Sequence, residues 1–182
     1  MHRGHSEIPV ITDEKENLTE VLFSYLFFRE NGIMRLFSIE LMEVRQMVRE
    51  IIHDPIFLSQ RSVEATAADV PIANDLIDTL RANLDCCVGM AANMIGQRKR
   101  IIAIAKGPMV VAMLNPKILS KSGEYETEEG CLSLEGKRKT KRYSSIRLSW
   151  QDAQMKVHVG TLDGFQAQIV QHEVDHCDGI LI

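Results

Sequence analysis

The pentapeptide His172-Glu173-Val174-Asp175-His176 constrains this chain more than any other feature. On a helix, residues four apart stand one turn apart on the same face. Both imidazoles then project together with Glu173 beside them, an arrangement that can hold a metal and activate a water. The alternative is a helix face that carries the motif by accident. The flanking sequence describes a helix in an enclosed place: Phe165, Ile169 and Val170 lead in, Val174 and Cys177 continue the apolar positions at helical spacing, and Gly179 stands where a helix C-terminus favours glycine. Imidazoles on an enclosed helix need partners, because an unpaired buried polar group costs about 1–3 kcal/mol. A metal would satisfy both at once.

A catalytic metal centre commonly takes three protein ligands and keeps one position open, so a third ligand must come from elsewhere. The cysteines are Cys86, Cys87, Cys131 and Cys177. None forms a C-x-x-C pair, which argues against a structural four-cysteine zinc site. Cys177 adjoins His176 and points about 100° around the helix, a poor position for the same ion. Cys131, in Glu129-Gly130-Cys131-Leu132-Ser133, is the better candidate, because the preceding glycine lets the backbone come close. Taken alone, a cysteine there is more often a small buried hydrophobe than a ligand.

Glu129-Gly130-Cys131-Leu132-Ser133, followed about forty residues later by Gln171-His172-Glu173-Val174-Asp175-His176, resembles the second and third signature motifs of peptide deformylases. Cys87-Val88-Gly89-Met90-Ala91-Ala92-Asn93-Met94 is similar to the first, Gly-x-Gly-x-Ala-Ala-x-Gln. The three motifs stand in the family's order, and the resemblance runs from about Val48 to Ile182. It implies hydrolytic removal of the N-formyl group from the initiator methionine of nascent polypeptides. Cys131, His172 and His176 would hold one divalent ion, typically ferrous iron, with zinc, nickel or cobalt as replacements. Glu173 would take the proton of the attacking water and pass it to the leaving amine.

The family stabilises the oxyanion with the backbone N–H of the residue after the cysteine, here Leu132, and with the glutamine of the first motif. This chain carries Met94 at that glutamine position, and a thioether donates no hydrogen bond. Loss of one such donor typically costs about 10²–10³ in rate, so the resemblance implies reduced activity. Asn93 or Gln97 could bring an amide into the place of Met94 after a small shift of the loop. Cys87, where the family has its first glycine, would redirect the backbone if that position needed a positive φ. Val88, Gly89 and Met94 are the candidate substrate-binding residues by motif proximity, with Leu132 and Ile169 beside them.

At 182 residues with 45% hydrophobic content, the chain suits one domain with a substantial core. A net charge of −4 gives no reason to expect a DNA-binding surface. The basic run Lys137-Arg138-Lys139-Thr140-Lys141-Arg142 reads as a solvated hairpin, and its functional alternative is contact with ribosomal RNA or an acidic nascent chain. A required thiolate favours a reducing compartment over a disulfide framework. No stretch reaches the roughly 18 apolar residues of a spanning helix, and Asp13, Glu14 and Glu16 stand where a signal peptide needs positive charge. A cytoplasmic location without membrane association is therefore expected.

Residues 1–46 differ in character from the rest of the chain. Asn17–Arg29 and Met34–Glu50 place apolar residues at helical spacing, which predicts one or two helices in an N-terminal extension, or a segment foreign to the native protein, ahead of a metal hydrolase domain over 47–182. Asp69 and Pro71 open a helix to about Leu84 with Ile72, Leu76, Leu80 and Leu84 on one side. Arg100–Lys106, Met109–Asn115, Ile118–Ser120, Ser144–Trp150 and Met155–Val159 read as strands. Short strands with two helices and no βαβ rhythm indicate an α+β fold. The resemblance implies mainly antiparallel sheets packed around the metal-binding helix. Two other functions fit the motifs: a non-catalytic metal-binding relative, or a hydrolase of another formyl or acyl amide. An unrelated zinc peptidase would leave Cys131 without a role.

Overall fold

The structure, a computed structural model, describes residues 27–30, 33–36 and 47–182, in two units divided at Val44/Arg45. In the first unit, β1 (Phe27–Glu30) and β2 (Ile33–Leu36) pair antiparallel, with Glu30 opposite Ile33. The helical expectation for these positions is thus corrected to a hairpin. Asn31-Gly32 between Phe27-Phe28 and Ile33 is the composition of a two-residue hairpin connection, a stronger local signal than the apolar spacing. The rest of the helical expectation up to residue 46 lies outside the described residues, and 47–50 are not helical.

The second unit is an α+β domain built on one five-stranded antiparallel sheet. Its strands are β3 (Gly89–Ala91), β4 (Ile101–Lys106), β5 (Met109–Cys131), β6 (Leu134–Gln151) and β7 (Val157–Asp163), ordered as numbered. The helices are α1 (Pro55–Leu58), α2 (Val70–Ala82) and α3 (Gly164–Cys177). The Asp69 carboxylate accepts from the Thr66 N–H and Oγ1 and meets Lys99, closing the 3-10 turn Ala67–Asp69 that leads into α2, and Pro71 follows inside the first turn of the helix. Leu76 and Leu80 are buried as the periodicity predicts, whereas Leu84 lies beyond the helix end and is exposed.

β4 explains why its sequence, Ile101-Ile102-Ala103-Ile104, shows no alternation: the sheet is covered on both faces. Ile101 and Ala103 pack with Leu76, Leu80, Met90 and Met94 under α2, while Ile102 and Ile104 pack with Val170, Val174 and Cys177 of α3. Register shifts flank Pro116 and Leu119 in β5. Proline has no N–H for the ladder, and each extra residue bends the strand and increases its twist. The expected strands at 109–115 and 118–120 are therefore one bent strand, and Asn115 (φ 51°) bonds Ala65 and Gln151 at the bend. Beyond Leu114, β5 pairs only with β6, as a long ribbon that turns at Leu132-Ser133. Lys137, Arg138, Lys139 and Lys141 are exposed on that ribbon, as the solvated-hairpin reading expects, but Arg142 is buried. No helix among the described residues is long and apolar enough to cross a membrane.

Candidate metal centre and active site

The tip of the β5–β6 ribbon delivers Cys131 to the face of α3 that carries His172 and His176. The Cys131 Sγ lies 3.2 Å from His176 Nε2, which lies 3.2 Å from His172 Nε2, and the three atoms all fall within 4.8 Å of one another. Donors at about 2.0–2.3 Å around a tetrahedral ion would stand roughly 3.3–3.7 Å apart, so the spacing fits one shared cation. The chemistry of the set agrees. A single proton on His176 Nε2 cannot serve both a sulfur and a second imidazole nitrogen, and the buried Nδ1 of His176 has no partner.

Glu129 orients the site, a role its place in the motif does not signal. Its Oε2 accepts from His172 Nδ1 at 2.9 Å, which leaves His172 Nε2 to face the shared point. Arg142 grips the same carboxylate through Nε and Nη2 at 2.9 and 2.7 Å and reaches Asp175 through Nη1 at 2.6 Å. Burial opposes ionisation of Glu129, but the bonds from His172 and Arg142 outweigh it and bring its pKa to about 2. Burial likewise works against a charged His172, yet its contacts with Cys131 and Glu129 hold it up at about 10. His176, buried and facing His172 and Arg142, falls to about 3.

Glu173 is 3% exposed, and its Oε2 has no hydrogen-bond partner. Burial raises its pKa to about 7, partly offset by the His172 charge. Gly89 lies against it: a Cβ there would sit 2.5 Å from Glu173 Oε1 and 2.6 Å from Ile169 Cγ2, so only glycine fits this approach of β3 to α3. A cavity of about 260 Å³ opens here, lined by Val88, Gly89, Met94, Leu132, His172 and Glu173 among others. Every candidate site residue from the sequence except His176 borders it, and His176 sits behind at the sulfur of Cys131.

A profile described as Polypeptide deformylase matches residues 46–182. The chain belongs to the peptide deformylase family. A peptide deformylase of Clostridium beijerinckii is 53% identical over 136 residues, which cover 75% of this chain and 100% of the relative. Peptide deformylase 1 of Clostridium perfringens is 39% identical over 113 residues, 60% of this chain and 76% of the relative. Among solved structures, the Met-Ala-Ser-bound class I type b peptide deformylase from Acinetobacter baumannii aligns with a TM-score of 0.68 at 28% identity, covering 75% of this chain and 97% of that one.

Against the deformylase pattern, Met94 is buried at the cavity and its sulfur accepts the Ala91 N–H at 3.4 Å, so it donates nothing. Neither suggested substitute reaches the cavity. The Asn93 amide is buried and spent on the carbonyls of His176 (2.9 Å) and Leu58 (3.4 Å), and Gln97 is exposed outside the lining. Cys87 needs no positive φ: among described non-glycine residues only Asn115 and Met155 adopt one. Its Sγ bonds the Gly89 carbonyl at 2.8 Å, and burial with the nearby Glu173 pushes the thiol up to about 12. The signal for Arg142 lay in the sequence as a cation at the end of a basic run, but composition cannot distinguish a buried member from its solvated neighbours.

Proposed function

We propose that the chain is a metal-dependent peptide deformylase that hydrolyses the N-formyl amide of formyl-methionyl nascent peptides. The observation that carries the reading is the convergence of Cys131, His172 and His176 beside the buried, unpartnered carboxylate of Glu173. Those three residues would hold one divalent ion. Ferrous iron is the metal the family resemblance implies, and the sulfur and imidazole donors also suit zinc, nickel or cobalt. When bound, the ion would supply Lewis acidity to activate the attacking water and polarise the formyl carbonyl.

The chain's own residues perform the remaining steps. Glu173 takes the proton of the attacking water and returns it to the amide nitrogen as the C–N bond breaks, giving formate and a free amine. The Leu132 N–H donates to the formyl oxygen as it gains charge. β3 ends the sheet, and β5 beyond Leu114 has an edge that β6 leaves free, so an extended peptide finds backbone groups on both walls of the cavity. Val88, Leu132 and Phe165 offer it apolar side chains. Nascent peptides place the reaction in the cytoplasm, and the exposed Lys137, Arg138, Lys139 and Lys141 are candidates for ribosomal RNA contact.

Formate release from formyl-Met peptides tests the reading, using oxygen-free protein loaded with iron or nickel. Cys131→Ala and His172→Ala lose tight metal binding, whereas Glu173→Ala keeps the metal and loses turnover. Full turnover in Glu173→Ala refutes its role as base. Met94 favours a second reading, a metal-binding relative without this activity or with another formyl or acyl amide as substrate. Metal binding without any formate release in the wild type supports it, and a gain of tenfold or more in Met94→Gln restores the first.

A further inference from the structure

α3 turns Phe165, Gln168, Ile169, His172 and Glu173 into the cavity, the i, i+3, i+4, i+7, i+8 stripe of one helical face. Gln168 is the one neutral amide in the lining, where Val88, Leu132, Phe165 and Ile169 supply apolar surface and Glu128 and Glu129 supply carboxylates. Its orientation is fixed at both ends. Nε2 donates to Glu129 Oε1 at 2.9 Å, and the Tyr125 hydroxyl donates to Oε1 at 3.0 Å. Because Glu129 is paired with Arg142 and only accepts, turning the amide over would set oxygen against oxygen. The amide nitrogen retains a second hydrogen to donate.

Gln168 stands four residues before His172, about 6 Å along the helix. In an extended formyl-methionine the sulfur also lies on the order of 6 Å from the formyl carbon, five bonds away. With the formyl group at His172, the first side chain therefore reaches Gln168. We propose that Gln168 is a specificity-determining residue, whose amide N–H reads a hydrogen-bond acceptor at the δ position of the substrate's first side chain. The cavity then favours methionine over its aliphatic isostere norleucine, and it admits methionine sulfoxide, whose oxygen is a stronger acceptor. A wholly apolar wall would reject the sulfoxide by leaving that oxygen unpaired. This inference rests on the deformylase reading.

The test compares kcat/KM for formate release from formyl-Met, formyl-norleucyl and formyl-methionine-sulfoxide tripeptides on nickel-loaded wild type, Gln168→Leu and Tyr125→Phe. Wild type should prefer methionine to norleucine about threefold, as a weak neutral hydrogen bond allows, and turn over the sulfoxide within roughly tenfold of methionine. In Gln168→Leu the methionine-to-norleucine ratio should fall to about one, and the sulfoxide should lose a further tenfold relative to methionine. Ratios decide because Gln168→Leu also strips a bond from Glu129 and slows every substrate alike. Unchanged ratios overturn the proposal. If Gln168→Leu is inactive, Tyr125→Phe decides: it keeps the amide but frees its oxygen, and should lower the sulfoxide-to-methionine ratio at least twofold, an unchanged ratio again overturning the proposal. Absence of formate from all three peptides with wild type refutes the deformylase reading itself, and this inference with it.

Discussion

Replacing Arg142 by methionine removes a guanidinium that is 4% exposed and tied to two carboxylates, Glu129 (2.9 and 2.7 Å) and Asp175 (2.6 Å). Methionine follows the same path through the ribbon without the charge, so Glu129 is left enclosed with only His172 and Gln168 as donors. Deleting one partner of a buried ion pair costs about 3–5 kcal/mol, chiefly from the charge left behind. For a domain of this size that lowers Tm by roughly 10–20 °C. Urea unfolding of metal-free protein reads this cost separately from any effect on the metal. Chelator competition then reads the second effect: with Glu129 free to turn, His172 loses its orientation, and metal affinity should drop about 10–100-fold. Glu129→Gln combined with Arg142→Met should cost less than the sum of the single changes, because no carboxylate is then stranded at position 129. A loss below about 1 kcal/mol in Arg142→Met, or strict additivity in the double variant, would refute the argument that this triad holds the site.

Gly89→Ala forces Glu173 and Ile169 apart, since the new Cβ would sit 2.5 and 2.6 Å from them. Overpacking of this kind costs about 1–3 kcal/mol, and formate release should fall about 10²-fold as the displaced carboxylate loses its alignment; wild-type turnover in this variant would contradict the close approach. Asp69→Asn should lose about 1 kcal/mol at neutral pH. The Thr66 backbone N–H, with Lys99, holds the Asp69 carboxyl below its ordinary value, so its contribution is present above the unfolded carboxylate pKa and is lost as pH falls through the lowered folded one. Denaturant midpoints of wild type and variant should therefore converge in acid, and a constant gap down to the lowest pH would count against the carboxylate as the source.

The cluster of Cys131, His172 and His176 was legible because each residue sits in a local pattern: two imidazoles at helical spacing, and a cysteine after a glycine in a motif of fixed order. α2 was legible because a proline in its first turn and an apolar stripe through Leu76 and Leu80 agree. What escaped depends on contacts distant in sequence. Glu129 and Arg142 are 13 residues apart and bond diagonally across a ribbon in which Glu129 stands opposite Arg138, and the three register shifts along that ribbon have no periodic signature. The rescue of Met94 by Asn93 failed for the same kind of reason. Tertiary packing had already committed that amide to carbonyls 35 and 83 residues away.

Glu129 joins these distant parts into one device. Its two oxygens receive His172, Gln168 and the fork of Arg142, and Arg142 passes on to Asp175, which follows His172 by three residues on α3. The ribbon is thereby fastened to α3 by charge at two successive turns, one residue from the glycine that precedes Cys131. Cys131 stands at the tip of the ribbon, where it, Leu132 and Leu134 pack against the core beneath α2. The ion triad adds charged anchors to that packing without filling the cavity, and so permits a sulfur donor to be held 3.2 Å from an imidazole while space beside it stays open to a peptide.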